Sequence, residues 1–225
     1  MKQLWIQRLQ DRICSWQRLS NFTLQSNDVR PRLRAAIAAK ELEEGSIRPV
    51  PELIHFYSEE SGGCDVAFYV TEAGRNNEGG SPEYFTGGFG LLSPRRVVEL
   101  KNDLLLSLEM IRSGSLPERV TCDAMERLIQ TSVPLWHTRA GEIQLLVHDS
   151  KELADGLYHF LPEFLHDPSK GIRYADSLIG YMDFLEGSCY VSPVWSYSGQ
   201  FHSGGKCMSS KTISREIERR YFVAE

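Results

Sequence analysis

The segment from Val50 to Val70, VPELIHFYSEESGGCDVAFYV, changes its hydrophobic period halfway, and that change constrains the fold more than any other feature. Leu53, Phe56 and Tyr57 recur at helical spacing behind Pro51, a proline where a first helical turn tolerates one. From Asp65 onward the run DVAFYVTE is apolar and β-branched, the mark of a strand. A helix must therefore stop and a strand begin within a few residues. Gly62 supplies the left-handed residue that commonly ends a helix. Cys64, directly behind Gly62 and Gly63, is then either a nucleophile or one residue of the turn.

The same reading extends along the chain. Trp5, Leu9, Ile13 and Trp16 share one helical face, and Lys2, Arg8, Arg12 and Arg18 provide much of the helix's polar character. Asn27-Asp28 are placed to cap a second helix, with Pro31 in its first turn and Arg32 to Glu44 as its body. AGRNNEGGSPE is a loop by composition, and YFTGGFGLL a second strand with glycines for a bulge or close approach. Ser93 and Pro94 open a helix that places Val97, Leu100, Leu104 and Leu108 on one face, and a short helix over Asp123 to Ile129 follows. SVPLWHTRAGEIQLLVHDS reads as two strands joined at Arg139-Ala140-Gly141, GLYHFLPEFL as another, and ADSLIGYMDFLEGS as a helix ending at Gly187. Helices first, strands clustered in the middle and a helix after them give an α+β chain. The expected architecture is a mixed or antiparallel central sheet flanked by helices: a single domain over residues 23–188, an N-terminal helical extension over 1–22, and an aromatic, charged tail over 189–225.

Charge narrows the partners. The net charge is −5, but residues 1–40 hold eight Lys/Arg against two Asp/Glu, and the rest hold 17 against 28, a body of −11. Such a body repels nucleic acid and attracts basic surfaces. The five scattered cysteines argue for a reducing compartment, and no apolar run is long enough to span a bilayer. With no secretory leader pattern at the N-terminus, the expected location is the cytoplasm.

Chemistry offers little. A catalytic Cys64 needs a histidine base, with His137 and His148 as the candidates, and an electropositive setting, whereas its neighbour is Asp65. The pairs His148-Asp149 and His166-Asp167 lack the further ligands of a metal-dependent phosphohydrolase. Cys122, Cys189, His202 and Cys207 fit no common zinc spacing, and QFHSGGKC has glutamine where a phosphate-binding loop needs glycine. The terminal EIERRYFV alternates acids as a metal-binding barrel strand does, but too little chain follows for a barrel. No metal and no cofactor are expected.

In its order of elements the chain resembles the SUKH superfamily, Smi/Knr type. VPELIHFYSEESGG matches the proline-led helix and its stop, and FGLLSPRRVVEL the strand-to-helix junction. VPLWHTRAGEIQLLVHD matches the later strand pair, and ADSLIGYMDFLEG the closing helix. The resemblance spans residues 30 to 187. It implies a binding protein without catalytic activity. Many bacterial members are similar to immunity proteins that occlude the active site of a toxin, often a nuclease, and fungal members serve as interaction hubs. On that reading the partner is a protein, such as a basic toxin, and the contacts are acids around the first sheet: Asp65, Glu72, Glu78, Glu83 and Asp149. The rival expectations are a cysteine-dependent hydrolase built on Cys64 with His137 or His148, and a regulatory scaffold using the N-terminal helix.

Overall fold

The structure is a computed structural model that describes residues 3–71, 84–113, 119–137, 142–162, 165–190, 202–203, 206–207 and 210–221. The chain is α+β with antiparallel strand pairing. The strands form not one central sheet but two, of three and four strands, besides a two-stranded hairpin. Contacts group into two compact units. The first comprises Met1–Val29, Cys64–Gly90 and Met182–Glu225, and the second Arg30–Gly63 and Leu91–Tyr181.

In the first unit, helix α1 (Trp5–Trp16) buries Trp5, Ile6, Leu9, Ile13 and Trp16, the stripe expected from their spacing. The stripe is used internally. Trp5 meets Phe89 edge-on with ring centroids 4.9 Å apart, and Trp16 lies 5.3 Å from Phe68. The Trp5 indole N–H donates to the carbonyl of Met182 at 3.1 Å, which keeps a buried polar atom satisfied.

The three-stranded sheet runs β1 (Phe22–Val29), β2 (Cys64–Thr71), β3 (Tyr84–Leu91), in that order across the sheet. Strand β1 corrects the sequence expectation, because Asn27-Asp28 lie inside it and cap no helix. Phe22 and Leu24 alternate with polar residues and pair with Val70 and Phe68, so cross-strand packing overrides the capping preference of Asn and Asp. The N–H of Leu33 is committed to the carbonyl of Tyr57 at 2.9 Å, and the next helix begins at Ala35. Near the chain's end, β8 (His202–Ser203) pairs with β9 (Lys206–Cys207). Helix α7 (Ser210–Tyr221) buries Ile213 and Ile217, so the terminal acids ride on a helix and not on a barrel strand.

The second unit begins with α2 (Ala35–Glu44) and α3 (Pro51–His55), which continues as a π-helical turn over Phe56–Glu60. The helix stop works differently from the expectation. Gly63, not Gly62, takes the positive φ, at +135°. Gly62 is needed for space: a Cβ there would lie 2.3 Å from the carbonyl oxygen of Pro31. The Ser61 hydroxyl sits between the carbonyls of Arg30 (2.9 Å) and Gly63 (2.7 Å), closing the turn.

Helices α4 (Pro94–Ser113) and α5 (Arg119–Thr131) follow, the latter longer than the short helix expected. Strands β4 (Val133–His137), β5 (Ile143–Val147), β6 (Gly156–Phe160) and β7 (Ile172–Ala175) form an antiparallel meander. Leu104, Leu108, Met125 and Leu128 of the helices pack with Ile143, Leu145, Val147, Tyr158 and Phe160. The alternate residues of β5 and β6 are buried too, which makes both strands continuously apolar apart from Gln144 and His159. Helix α6 (Leu178–Gly187) closes the order, and the division between the units falls within it. No helix among the described residues is long and apolar enough to cross a membrane.

Candidate functional site

Strand β2 has one buried and one open face. Cys64, Val66, Phe68 and Val70 point inward, while Asp65, Ala67, Tyr69 and Thr71 face out. Gly88 of β3, at φ +142°, has room for no side chain, since a Cβ would lie 2.0 Å from the carbonyl oxygen of Val66.

Two carboxylates meet on this face. Asp28 of β1 is the direct cross-strand partner of Asp65, and both are exposed. Beside them, the Ser26 hydroxyl donates to the Asp65 carbonyl at 2.7 Å. Asp28 escaped the sequence reading because Asn-Asp before a proline looks like a cap. The polar–apolar alternation of FTLQSNDV was the signal that would have placed it on a strand.

Of the other expected contact residues, Glu72, Glu78 and Glu83 lie outside the described residues. Asp149 belongs to the second unit and is engaged there. It sits at the end of β5 with φ +55°, its N–H donates to Asp155 Oδ1 at 2.9 Å, and its carboxylate binds Arg48 at 2.6 Å. His148 approaches Asp155 through Nδ1 at 3.2 Å and Asp149 through Nε2 at 3.7 Å. The three ligand atoms lie within 4.8 Å of one another, close enough for a cation. Arg48, however, already supplies the positive charge, and the group reads as a self-satisfied turn.

Comparison with known proteins found no matching family model, no matching curated protein and no matching solved structure.

The chemistry of the remaining candidates follows from their surroundings. Cys64 opens β2 opposite Val29 and is only 5 % exposed, which is the environment of a packed turn residue. His137 is exposed on β4, and His148 is held by Asp155 as described. Asp167, of the second His-Asp pair, accepts from the Ser169 N–H and hydroxyl at 2.9 and 2.8 Å, so it caps the short turn Pro168–Lys170. Those bonds hold its carboxyl below the usual range. Cys122 lies in the second unit's core, and Cys189 contacts the Ser214 hydroxyl at 3.3 Å.

An open cleft of about 340 Å³ runs along α1, walled in part by Arg8, Arg12, Glu186 and Tyr190. Arg8 grips Glu186 through both ends of its guanidinium, at 2.7 and 2.8 Å. Burial, and then the nearby Glu186 charge, push the Tyr190 phenol up to about 12, so it stays protonated. Among the described lining residues the charges balance, Arg8 and Arg12 against Asp11 and Glu186.

Proposed function

We propose that this chain is a protein-binding module whose acidic sheet face receives a basic partner, in the manner of a toxin-neutralising immunity protein. The observation that carries the reading is the opposed pair Asp28 and Asp65 on the open face of the first sheet. Two exposed carboxylates opposite one another in the register offer the cations of a basic partner two acceptors at one place on the sheet. Tyr69, on the same outward face, adds an aromatic surface of the kind that anchors interfaces.

Three further facts support the reading. The chain as a whole carries −5, which favours the approach of a basic partner. The elements follow the order on which the Smi/Knr resemblance rests: α2, α3 with its glycine stop, the β2 and β3 strands, α4, the later strands and α6. Cys64, the nucleophile of the rival hydrolase reading, is buried at the mouth of a strand. A cytoplasmic home accords with the scattered cysteines.

In this function the partner's basic substrate-binding face docks on β1 and β2, and occlusion is the whole mechanism. A nuclease fits that description because its phosphate-binding face is cationic. The test is affinity capture with the full chain as bait at low salt, beside an Asp65→Lys bait. The expected result is a basic protein that salt releases, that is toxic when expressed alone, and that the variant retains at least tenfold more weakly. Capture that ignores both salt and Asp65→Lys would sink the proposal.

A further inference from the structure

Helix α4 carries a second feature that the acidic sheet face does not account for. Its inward face, Val97, Lys101, Leu104 and Leu108, is buried. On the outside, one turn apart, stand Leu106 and Met110, which are 58 % and 69 % exposed. They are the two most exposed large apolar side chains among the described residues. At this spacing they form one continuous patch.

The surroundings of the patch are acidic and otherwise quiet. Asp103 lies one turn before Leu106 and Glu109 directly precedes Met110, both exposed. The helix's cations are committed elsewhere: Arg95 and Arg96 pair with Glu99, and Arg112 with Asp123 and Glu126. The neighbouring hydroxyls turn away from solvent, Ser107 onto the carbonyl of Asp103 and Ser113 onto that of Met110, each at 2.8 Å. Two apolar side chains, one of them a conformationally adaptable methionine, thus stand beside two exposed carboxylates and the neutral Asn102.

We propose that the outer face of α4 is a docking surface for a basic amphipathic helix of a partner protein. Leu106 and Met110 receive the apolar anchors of that helix, and Asp103 and Glu109 pair with Lys or Arg flanking them. Charge complementarity selects this occupant, since an acidic or neutral helix would leave both carboxylates desolvated without partners. This surface lies within the second unit and stands independently of the sheet face.

The test uses a displayed library of helical peptides, with apolar anchors at helical spacing and randomised flanking positions, panned against the full chain. Selected peptides are then counter-screened against L106E/M110E and D103K/E109K. All four positions are exposed, so both variants are expected to melt as the wild type does. The expected outcome is enrichment of Lys and Arg at the flanking positions, with binding weakened at least tenfold by either variant. Enrichment of acidic or neutral flanks, binding indifferent to both variants, or no enrichment overturns the proposal. So does concentration-dependent self-association abolished by L106E/M110E, which would make a second copy of the chain the occupant.

Discussion

Glu52 of α3 caps a helix that begins 126 residues later: its Oε2 accepts the N–H of Leu178 at 3.0 Å. The N–H of Ile179 points to the same oxygen at 3.4 Å. An anionic acceptor at a helix start satisfies donors that have no partner within the helix and complements the positive end of its dipole. Replacing Glu52 by alanine should therefore cost about 1–2 kcal/mol, and by glutamine less, because the amide oxygen keeps an acceptor in place. Urea denaturation of the two variants reads the difference, and equal midpoints would show that the cap is not energetically engaged.

Lys101 is buried on the inner face of α4, where its ammonium donates to the carbonyls of Ser46 (3.0 Å) and Gln130 (2.9 Å). These carbonyls follow the end of α2 and lie in the last turn of α5, so one cation serves two helix ends. Burial lowers the lysine's pKa despite those bonds. Lys101→Met fits the volume but leaves two acceptors without donors, and we expect a loss of about 2–3 kcal/mol. An unchanged denaturation midpoint would mean that relief of the ammonium's desolvation fully offsets the lost bonds.

His159, 1 % exposed on β6 and opposite Gln144, has its pKa lowered to about 4 by burial. An unfolded histidine titrates near 6.5, so between about 4 and 6.5 the unfolded chain binds the extra proton. Stability contributed here is complete above pH 6.5 and falls as the pH drops toward 4, by roughly 3 kcal/mol at most. His159→Gln should flatten that part of the stability curve. If the slope between pH 6.5 and 4 survives the substitution, other groups produce it.

Asp65→Asn removes one charge from the opposed pair with Asp28. Stability should stay within about 0.5 kcal/mol, as at an exposed surface position, while the affinity for a basic partner drops. An unchanged Tm beside a loss of binding is the opposite of what a structural aspartate gives, so the pair of readouts separates the two roles.

Thiol labelling of the native chain should mark Cys14, which is exposed, and spare Cys64, Cys122 and Cys189, which are buried, until the chain unfolds. Rapid alkylation of Cys64 at neutral pH, mapped by peptide mass, would revive the hydrolase reading.

Much of the fold was legible because it rests on periodicity. The stripe of α1, the apolar strand β2 and the Ser93-Pro94 helix start each follow from residue spacing alone. Strand β1 was missed although FTLQSNDV alternates, because Asn27-Asp28 ahead of Pro31 also satisfies local capping rules and the pairing with β2 decides between the two. Strand β7 was missed for want of length, four residues giving no period to read. The two glycines were assigned the wrong way round because sequence cannot tell a need for positive φ from a need for space. Asp65 was found at the site, whereas its partner Asp28 was invisible without the register. Arg48, which pairs with Asp149, lies 101 residues away, too far along the chain for spacing to connect them.

The Trp5 indole and the Met182 carbonyl that receives it are 177 residues apart. On a ribosome adding about 5–20 residues per second, the first helix is made roughly 10–35 s before that acceptor exists. During this interval the first unit lacks its last segment, and the tryptophans of α1 have only part of their eventual surroundings. Birth of this protein therefore includes a vulnerable period set by translation speed, in which slow synthesis prolongs the exposure of two indoles to chaperones and to other nascent chains.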